Sequence, residues 1–142
     1  SGCRIKADVV ATDEQEHGLR AILNYGHTIG HAIEALADFG RLSHGESIAI
    51  GMIGEAMIGA RIGTVKEEIV SQTRELITSY GLPTRLPPEF SEEDVLARMR
   101  HDKKNLSGHL VLVLPTGWGE VGIFSNISDH VVLEVLRELK DN

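Results

Sequence analysis

The stretch that most constrains this chain is a predicted amphipathic helix with an unusual polar face. At about 100° per residue, four polar side chains fall within an arc of roughly 60°; they are Arg20, Asn24, His27 and His31. The opposite face is apolar and must pack against a core; it carries Ile22, Ile29, Ile33 and Leu36. An ordinary solvated face is rich in Glu, Lys and Gln, whereas imidazole, guanidinium and amide groups bind metals and anions. The helix is therefore predicted to line a binding site.

A third histidine lies at the start of the next predicted helix. Ser43 and Glu46 form the Ser-x-x-Glu pattern of a capping box, which places His44 at the first helical position. The positive end of a helix disfavours an imidazolium, so it keeps the ring neutral, as a metal ligand must be. Three clustered histidines are the strongest functional signal in the sequence.

The residues alone leave the ligand set open. His27 and His44 are candidate ligands for zinc or a related ion, and His27 with His31, four residues apart, is another possible pair. An arbitrary pair of histidines is more often ordinary polar surface. A catalytic zinc needs three protein ligands and an open position, and no third ligand is obvious. The acidic candidates are Glu16, Glu34 and Glu46, of which Glu46 already has a capping role and Glu34 could instead support a ligand.

Cationic side chains could form an anion pocket beside the histidines. Arg20 shares their face, so an anion bound there would lie next to the metal. Lys6, Lys103 and Lys104 are further candidates, although a solvated turn is the simpler interpretation of the lysine pair.

The pattern of apolar residues, caps and turns predicts a mainly helical domain with one small β-hairpin. The expected helices are 1–12, 17–37, 43–62, 64–80, 91–101 and 129–140, and the hairpin is 109–115 with 120–124, joined by 116–119. Capping boxes or caps are expected at Ser43, Thr64, Ser91 and Ser128, with Gly40 and Gly81 ending helices. The many small residues within 43–62 predict close approach of another helix or of a ligand.

Composition excludes several classes of function. The net charge of −7 argues against a nucleic-acid surface or a basic membrane patch. The most apolar run, 47–60, is interrupted by Glu55 and is too short to span a bilayer. The single cysteine, Cys3, fits a reducing compartment, and we expect a cytoplasmic protein. No glycine-rich turn follows a strand, so any dinucleotide-binding domain is expected elsewhere.

The histidine motifs resemble those of the 3-dehydroquinate synthase family. The resemblance is carried by Leu23-Asn-Tyr-Gly-His-Thr-Ile-Gly-His-Ala-Ile-Glu34 and His44-Gly-Glu-Ser-Ile-Ala-Ile-Gly-Met52. It extends to Lys6-Ala-Asp-Val-Val, Asp13-Glu-Gln-Glu-His-Gly-Leu-Arg20, Asp102-Lys-Lys104 and Leu110-Val-Leu-Val-Leu-Pro115. Residues 1–142 are thus expected to form the C-terminal, helical half of a two-domain enzyme, and the start at Ser1 also suggests a fragment.

The resemblance implies a lyase of the shikimate pathway. Such an enzyme converts 3-deoxy-D-arabino-heptulosonate 7-phosphate to 3-dehydroquinate and phosphate, with NAD bound mainly by an N-terminal domain. It implies that His27 and His44 bind Zn²⁺ or Co²⁺, with the third ligand outside this chain, and that His31 acts in proton transfer near the phosphate. The implied substrate contacts and orienting groups are Lys6, Glu16, Arg20, Asn24 and one lysine of Lys103 and Lys104. A homodimer is expected, and residues 1–142 alone are expected to be inactive.

Two alternatives stay open at this point. Another NAD- and metal-dependent cyclase, forming inosose or valiolone rings, would share the metal site but lack the contacts to a substrate carboxylate. A non-catalytic metal-binding helical module is the second. Lys6 and the Lys103–Lys104 turn discriminate between the two cyclase classes.

Overall fold

The computed structural model describes residues 27–37, 42–103, 109–117 and 120–141. In these ranges the chain forms five helices and a two-stranded antiparallel hairpin, as the sequence predicts. In chain order they are α1 (His27–Leu36), α2 (His44–Ile62), α3 (Glu67–Ser79), α4 (Glu92–Lys103), β1 (Leu110–Gly117), β2 (Glu120–Ile127) and α5 (Asp129–Asp141).

Helix α2 is the centre of the core. Every residue from Ser47 to Gly59 is buried, and α1, α3, α5 and β1 all pack against this helix. Helix α4 completes the packing by contacting α1, α5 and β1. A helix that is packed on all sides has no face exposed to solvent, which explains the apolar run in its sequence.

Small residues allow α1 and α2 to cross closely, as predicted. A Cβ atom added at Gly30 would lie 3.0 Å from Cα of Ile48 and 3.2 Å from the carbonyl oxygen of Ser47. One added at Gly54 would lie 3.0 Å from Cδ1 of Ile29 and 3.2 Å from a methyl group of Leu139. The glycines thus set the distance between the helix that carries His27 and the helix that carries His44.

Most predicted caps are confirmed. Ser43 and Glu46 form a complete capping box, with N–O distances of 2.9 and 3.0 Å. Ser91 Oγ accepts from the backbone N–H of Asp94 at 3.2 Å, and Ser128 Oγ accepts from that of His130 at 3.1 Å. These side chains satisfy backbone donors that have no partner inside their helices.

The capping box predicted at Thr64 is wrong. Helix α3 begins at Glu67 after Lys66, and no side chain caps it. The hydroxyl of Thr64 instead donates to the carbonyl oxygen of Pro115 at 2.9 Å. The turn between α2 and α3 is thereby tied to β1, a tertiary contact that local sequence does not reveal.

Two glycines in the described ranges have positive φ, and both lie just beyond helix ends. Gly63 (φ 93°) ends α2, and its N–H donates to the carbonyl oxygen of Gly59. Gly81 (φ 73°) follows α3, as predicted. The left-handed conformation is inexpensive for glycine because it has no Cβ.

The predicted hairpin is confirmed, but both strands are longer than expected. Leu112 pairs with Phe124 and Leu114 with Gly122, while Leu110, Leu112 and Leu114 face the core. Helix α5 buries Val132, Val135, Leu136 and Leu139, with Leu133 partly buried.

None of the described helices combines the length and apolarity that crossing a bilayer would require. Three predictions fall outside the described residues: the helix at 1–12, the start of the helix at 17–37, and the helix end at Gly40.

Candidate metal and substrate site

Three histidine rings cluster where α1 meets the start of α2. The ring centroids of His27 and His31 are 5.3 Å apart, with planes at 62°. Those of His31 and His44 are 6.2 Å apart, with planes at 33°. His31 and His44 are exposed and His27 is partly buried, so the cluster lies at the protein surface. The apolar side of α1 is buried at Ile29 and Ile33, as predicted.

A carboxylate from α1 contacts the histidine of α2. Nδ1 of His44 and Oε1 of Glu34 are 2.9 Å apart. An ionised carboxylate can only accept a hydrogen bond, so we assign the hydrogen to Nδ1. In a neutral ring with its hydrogen on Nδ1, Nε2 carries the lone pair through which imidazole binds a metal.

The donor chemistry fits part of a metal site. Imidazole nitrogens suit zinc and cobalt, and a carboxylate behind a histidine is a common supporting arrangement. Across the described ranges, however, no three His, Cys, Asp or Glu side chains meet closely enough to hold an ion. The three histidines thus have donor atoms of a suitable type, and the assignment of His27 and His44 as the ligand pair stays a prediction.

A buried acid that was not predicted as a site residue contacts α1 from below. Glu55 is fully buried on α2, and its Oε2 atom accepts a hydrogen bond from the backbone N–H of Ile29 at 3.0 Å. The signal in the sequence was a lone carboxylate within the most apolar run. The sequence shows that Glu55 interrupts this run, but it does not show that Glu55 contacts Ile29, 26 residues earlier.

Two of the remaining predicted site residues, Lys103 and Glu46, lie within the described ranges. Lys103 is the last residue of α4. Those outside the described residues are Lys6, Glu16, Arg20, Asn24 and Lys104. Glu46 is described, and its carboxylate is engaged in the capping box rather than with the histidines.

Comparison with known proteins identifies the family. The family model described as 3-dehydroquinate synthase C-terminal matches residues 1–105. This chain belongs to the 3-dehydroquinate synthase family. The match covers all three clustered histidines, so the family resemblance seen in the sequence is confirmed.

Curated relatives in the 3-dehydroquinate synthase family are similar along nearly the whole chain. The 3-dehydroquinate synthase of Desulforamulus reducens is 46% identical over 136 residues, which is 96% of this chain and 38% of that protein. The 3-dehydroquinate synthase of Synechocystis is 43% identical over 134 residues, 94% of this chain and 37% of that protein. The chain thus spans less than two-fifths of the length of these relatives.

Solved structures of two synthases share the fold. A 2-deoxy-scyllo-inosose synthase complexed with carbaglucose-6-phosphate, NAD⁺ and Co²⁺ matches with a TM-score of 0.69 and 34% identity, over 81% of this chain and 32% of that one. A 2-epi-5-epi-valiolone synthase from Streptomyces hygroscopicus, with NAD⁺ and Zn²⁺ bound, matches with a TM-score of 0.71 over 82% of this chain and 32% of that one. At 22% identity the second match shows the fold alone. The predicted mainly helical fold is confirmed.

Proposed function

We propose that this chain is the metal- and substrate-binding part of a 3-dehydroquinate synthase. The proposed reaction converts 3-deoxy-D-arabino-heptulosonate 7-phosphate to 3-dehydroquinate and phosphate. The observation that carries the proposal is the cluster of His27, His31 and His44 at the α1–α2 junction, inside the region that matches the family. NAD would be bound mainly by a further, N-terminal domain, because the relatives are more than twice as long as this chain.

We assign the metal to His27 and His44, with a third ligand outside this chain. The ion would be Zn²⁺ or Co²⁺, both of which suit imidazole ligands. Glu34 Oε1 contacts Nδ1 of His44, so Nε2 would be the nitrogen available to bind the ion. When bound, the ion would polarise the substrate hydroxyl that is oxidised and increase its acidity.

The remaining residues of the site would bind and orient the substrate. His31 is exposed beside the two ligands, where an imidazole can accept or donate a proton near neutral pH. We assign the substrate carboxylate and phosphate to cationic and amide side chains, and Glu16 to orienting them; the contacts are Lys6, Arg20, Asn24 and one of Lys103 and Lys104. Cations fixed in place before reaction hold a flexible substrate in position for successive steps.

The assembly would be a cytoplasmic homodimer. The homodimer is what the family resemblance implies, and the single Cys3 is compatible with a reducing compartment.

A second cyclase activity is favoured by one observation. The 2-deoxy-scyllo-inosose synthase match means that the same helical fold occurs with a different substrate analogue. The heptulosonate substrate carries a carboxylate that a glucose phosphate lacks. Substitution of the lysines that would bind this carboxylate, at positions 6, 103 and 104, should therefore distinguish the two activities.

The test is phosphate release by the full-length enzyme in the presence of NAD and Zn²⁺ or Co²⁺. We expect release from 3-deoxy-D-arabino-heptulosonate 7-phosphate and none from glucose 6-phosphate. Release from glucose 6-phosphate alone would favour the second cyclase activity. Release from neither substrate by folded, metal-loaded enzyme would contradict both activities and would leave a valiolone-forming cyclase or a non-catalytic metal-binding module.

A further inference from the structure

A fully buried carboxylate on α2 contacts the backbone of α1, the helix that carries His27 and His31. Among the described residues, Glu55 is the one acidic side chain with 0% exposure. It lies within the buried stretch of α2, surrounded along the helix by apolar and small residues. Removing a carboxylate from water is costly unless hydrogen-bond donors replace the lost hydration. The donors that Glu55 meets are therefore strong determinants of local structure.

One of those donors is a backbone group of α1. The backbone N–H of Ile29 donates to Oε2 of Glu55 at 3.0 Å. Ile29 lies two residues after His27 in this helix. Loss of this hydrogen bond would leave the buried carboxylate with one donor fewer to replace its hydration. The contact thus ties the part of α1 next to His27 to the middle of α2.

This contact complements the close helix crossing. Gly30 packs on Ser47 and Ile48, which sets how near α1 comes to α2. The hydrogen bond to Glu55 constrains a different variable, the rotation and axial position of α1 at the turn that carries His27. Since His44 is fixed at the capped start of α2, the two restraints together determine how the two rings face one another.

We propose that Glu55 is a positioning residue for His27, an inference that rests on the metal site proposed above. Its carboxylate oxygen holds the Ile29 amide and so keeps the His27 ring oriented toward an ion shared with His44. Groups behind metal ligands influence affinity because small misalignments of a ligand weaken the bond that it forms. Glu55 itself does not contact the ion or the substrate in this account.

Two conservative variants of the full-length enzyme distinguish the effect of the length of the Glu55 side chain from the effect of its charge. Glu55→Gln keeps a carbonyl oxygen at the same distance but removes the charge. Glu55→Asp keeps the charge but withdraws the oxygens by about 1.5 Å, one carbon–carbon bond. We expect Zn²⁺ affinity, measured by competition with a chromophoric chelator, to fall about tenfold in Glu55→Asp and to stay within about threefold of wild type in Glu55→Gln. Hydrogen–deuterium exchange of residues 27–36 in the metal-free enzyme should be faster in Glu55→Asp only.

Controls distinguish positioning from general loosening of the core. Thr73 is equally buried, on α3, so Thr73→Val should lower the melting temperature without changing Zn²⁺ affinity. Wild-type affinity in Glu55→Asp would overturn the proposal, as would equal losses in Glu55→Asp and Glu55→Gln, or in Glu55→Asp and Thr73→Val. His27→Ala reports on the metal site separately. Undiminished Zn²⁺ binding in that variant would overturn the proposed site itself, whatever the Glu55 variants do.

Discussion

His44 at the start of α2 and Glu34 near the end of α1 are joined by a 2.9 Å contact between Nδ1 and Oε1. Their side chains are 60% and 39% exposed, so the pair contributes little to stability. Its consequence is orientation: the ring of one proposed metal ligand is held by the helix that carries the other. The polar face of α1 is therefore linked to the first residue of α2.

Glu34→Ala should weaken metal binding without destabilising the fold. Loss of a carboxylate behind a histidine ligand typically reduces metal affinity by about 10–100-fold, whereas loss of an exposed pair changes the unfolding free energy by less than about 1 kcal/mol. Zn²⁺ titration and thermal melting of the full-length enzyme measure the two effects. Glu68→Ala, an exposed acid on α3, is the control and should leave Zn²⁺ affinity unchanged. A Glu34→Ala enzyme with wild-type affinity would show that the contact does not orient a ligand.

Gly30→Ala should separate α1 from α2. The new Cβ would lie 3.0 Å from Cα of Ile48 and 3.2 Å from the carbonyl oxygen of Ser47, and backbone atoms cannot yield as a side chain can. We expect a loss of about 1–3 kcal/mol in unfolding free energy, despite the better helix propensity of alanine, together with weaker metal binding.

Gly45→Ala is the matched control for that substitution. Gly45 is also helical, on α2, but nothing lies within 4 Å of its added Cβ. Its stability should be unchanged or slightly higher in urea denaturation. Equal stability of the Gly30→Ala and Gly45→Ala proteins would contradict the close crossing.

His31→Ala should reduce turnover more than substrate binding. Proton transfer by a positioned side chain contributes about 100-fold or more to rate, so kcat should fall by that order while KM changes little. Steady-state kinetics of phosphate release by the full-length enzyme measure both constants. Unchanged kcat at saturating substrate would assign His31 a purely structural role.

The Glu92–Lys140 pair predicts a pH dependence of stability. A hydrogen bond from its own backbone N–H lowers the pKa of Glu92 below the ordinary value of 4.5; burial opposes this shift, and Lys140, 3.3 Å away, adds to it. A lowered folded-state pKa stabilises the protein above pH 4.5, and that stability is lost as the pH falls through the folded-state value. Glu92→Gln should cost less than about 1 kcal/mol at pH 7, and the difference from wild type should disappear in acid.

Chemical denaturation at several pH values checks this prediction. Glu93→Gln removes the charge of a neighbouring acid in the same first turn of α4 but keeps an oxygen that can accept from Ser91 Oγ, as Glu93 does at 3.1 Å, and it reports the effect of a charge near the helix dipole. A Glu92→Gln deficit that stays constant from neutral to acidic pH would contradict the linkage.

The sequence predicted elements well where the deciding interactions were local. The Ser43–Glu46 capping box, the Gly81 stop and the alternating leucines of β1 each depend on neighbours in the chain, and each is confirmed. Thr64 had the same local pattern as Ser43, but its hydroxyl donates to Pro115, 51 residues away. Local pattern cannot distinguish a cap from a tertiary contact when both satisfy the same hydroxyl.

In the candidate site, too, local contacts could be predicted from the sequence and contacts between helices could not. Helical spacing placed His27 and His31 on one face, and their rings are neighbours. The approach of His44 to His31 and the burial of Glu55 beneath Ile29 depend on how α1 crosses α2, which periodicity does not determine. The family resemblance implied only that His27 and His44 bind one ion; it gave neither the His31–His44 contact nor the contact between Glu55 and Ile29.

The most direct test of this account is titration of the metal-free, full-length enzyme with Co²⁺, followed by its visible absorption. We predict one Co²⁺ per chain for wild type and for His31→Ala. His27→Ala and His44→Ala should each weaken binding by about 100-fold or more, because removing one of three protein ligands leaves an incomplete site. Wild-type Co²⁺ affinity in both His27→Ala and His44→Ala, or loss of binding in His31→Ala alone, would contradict the account.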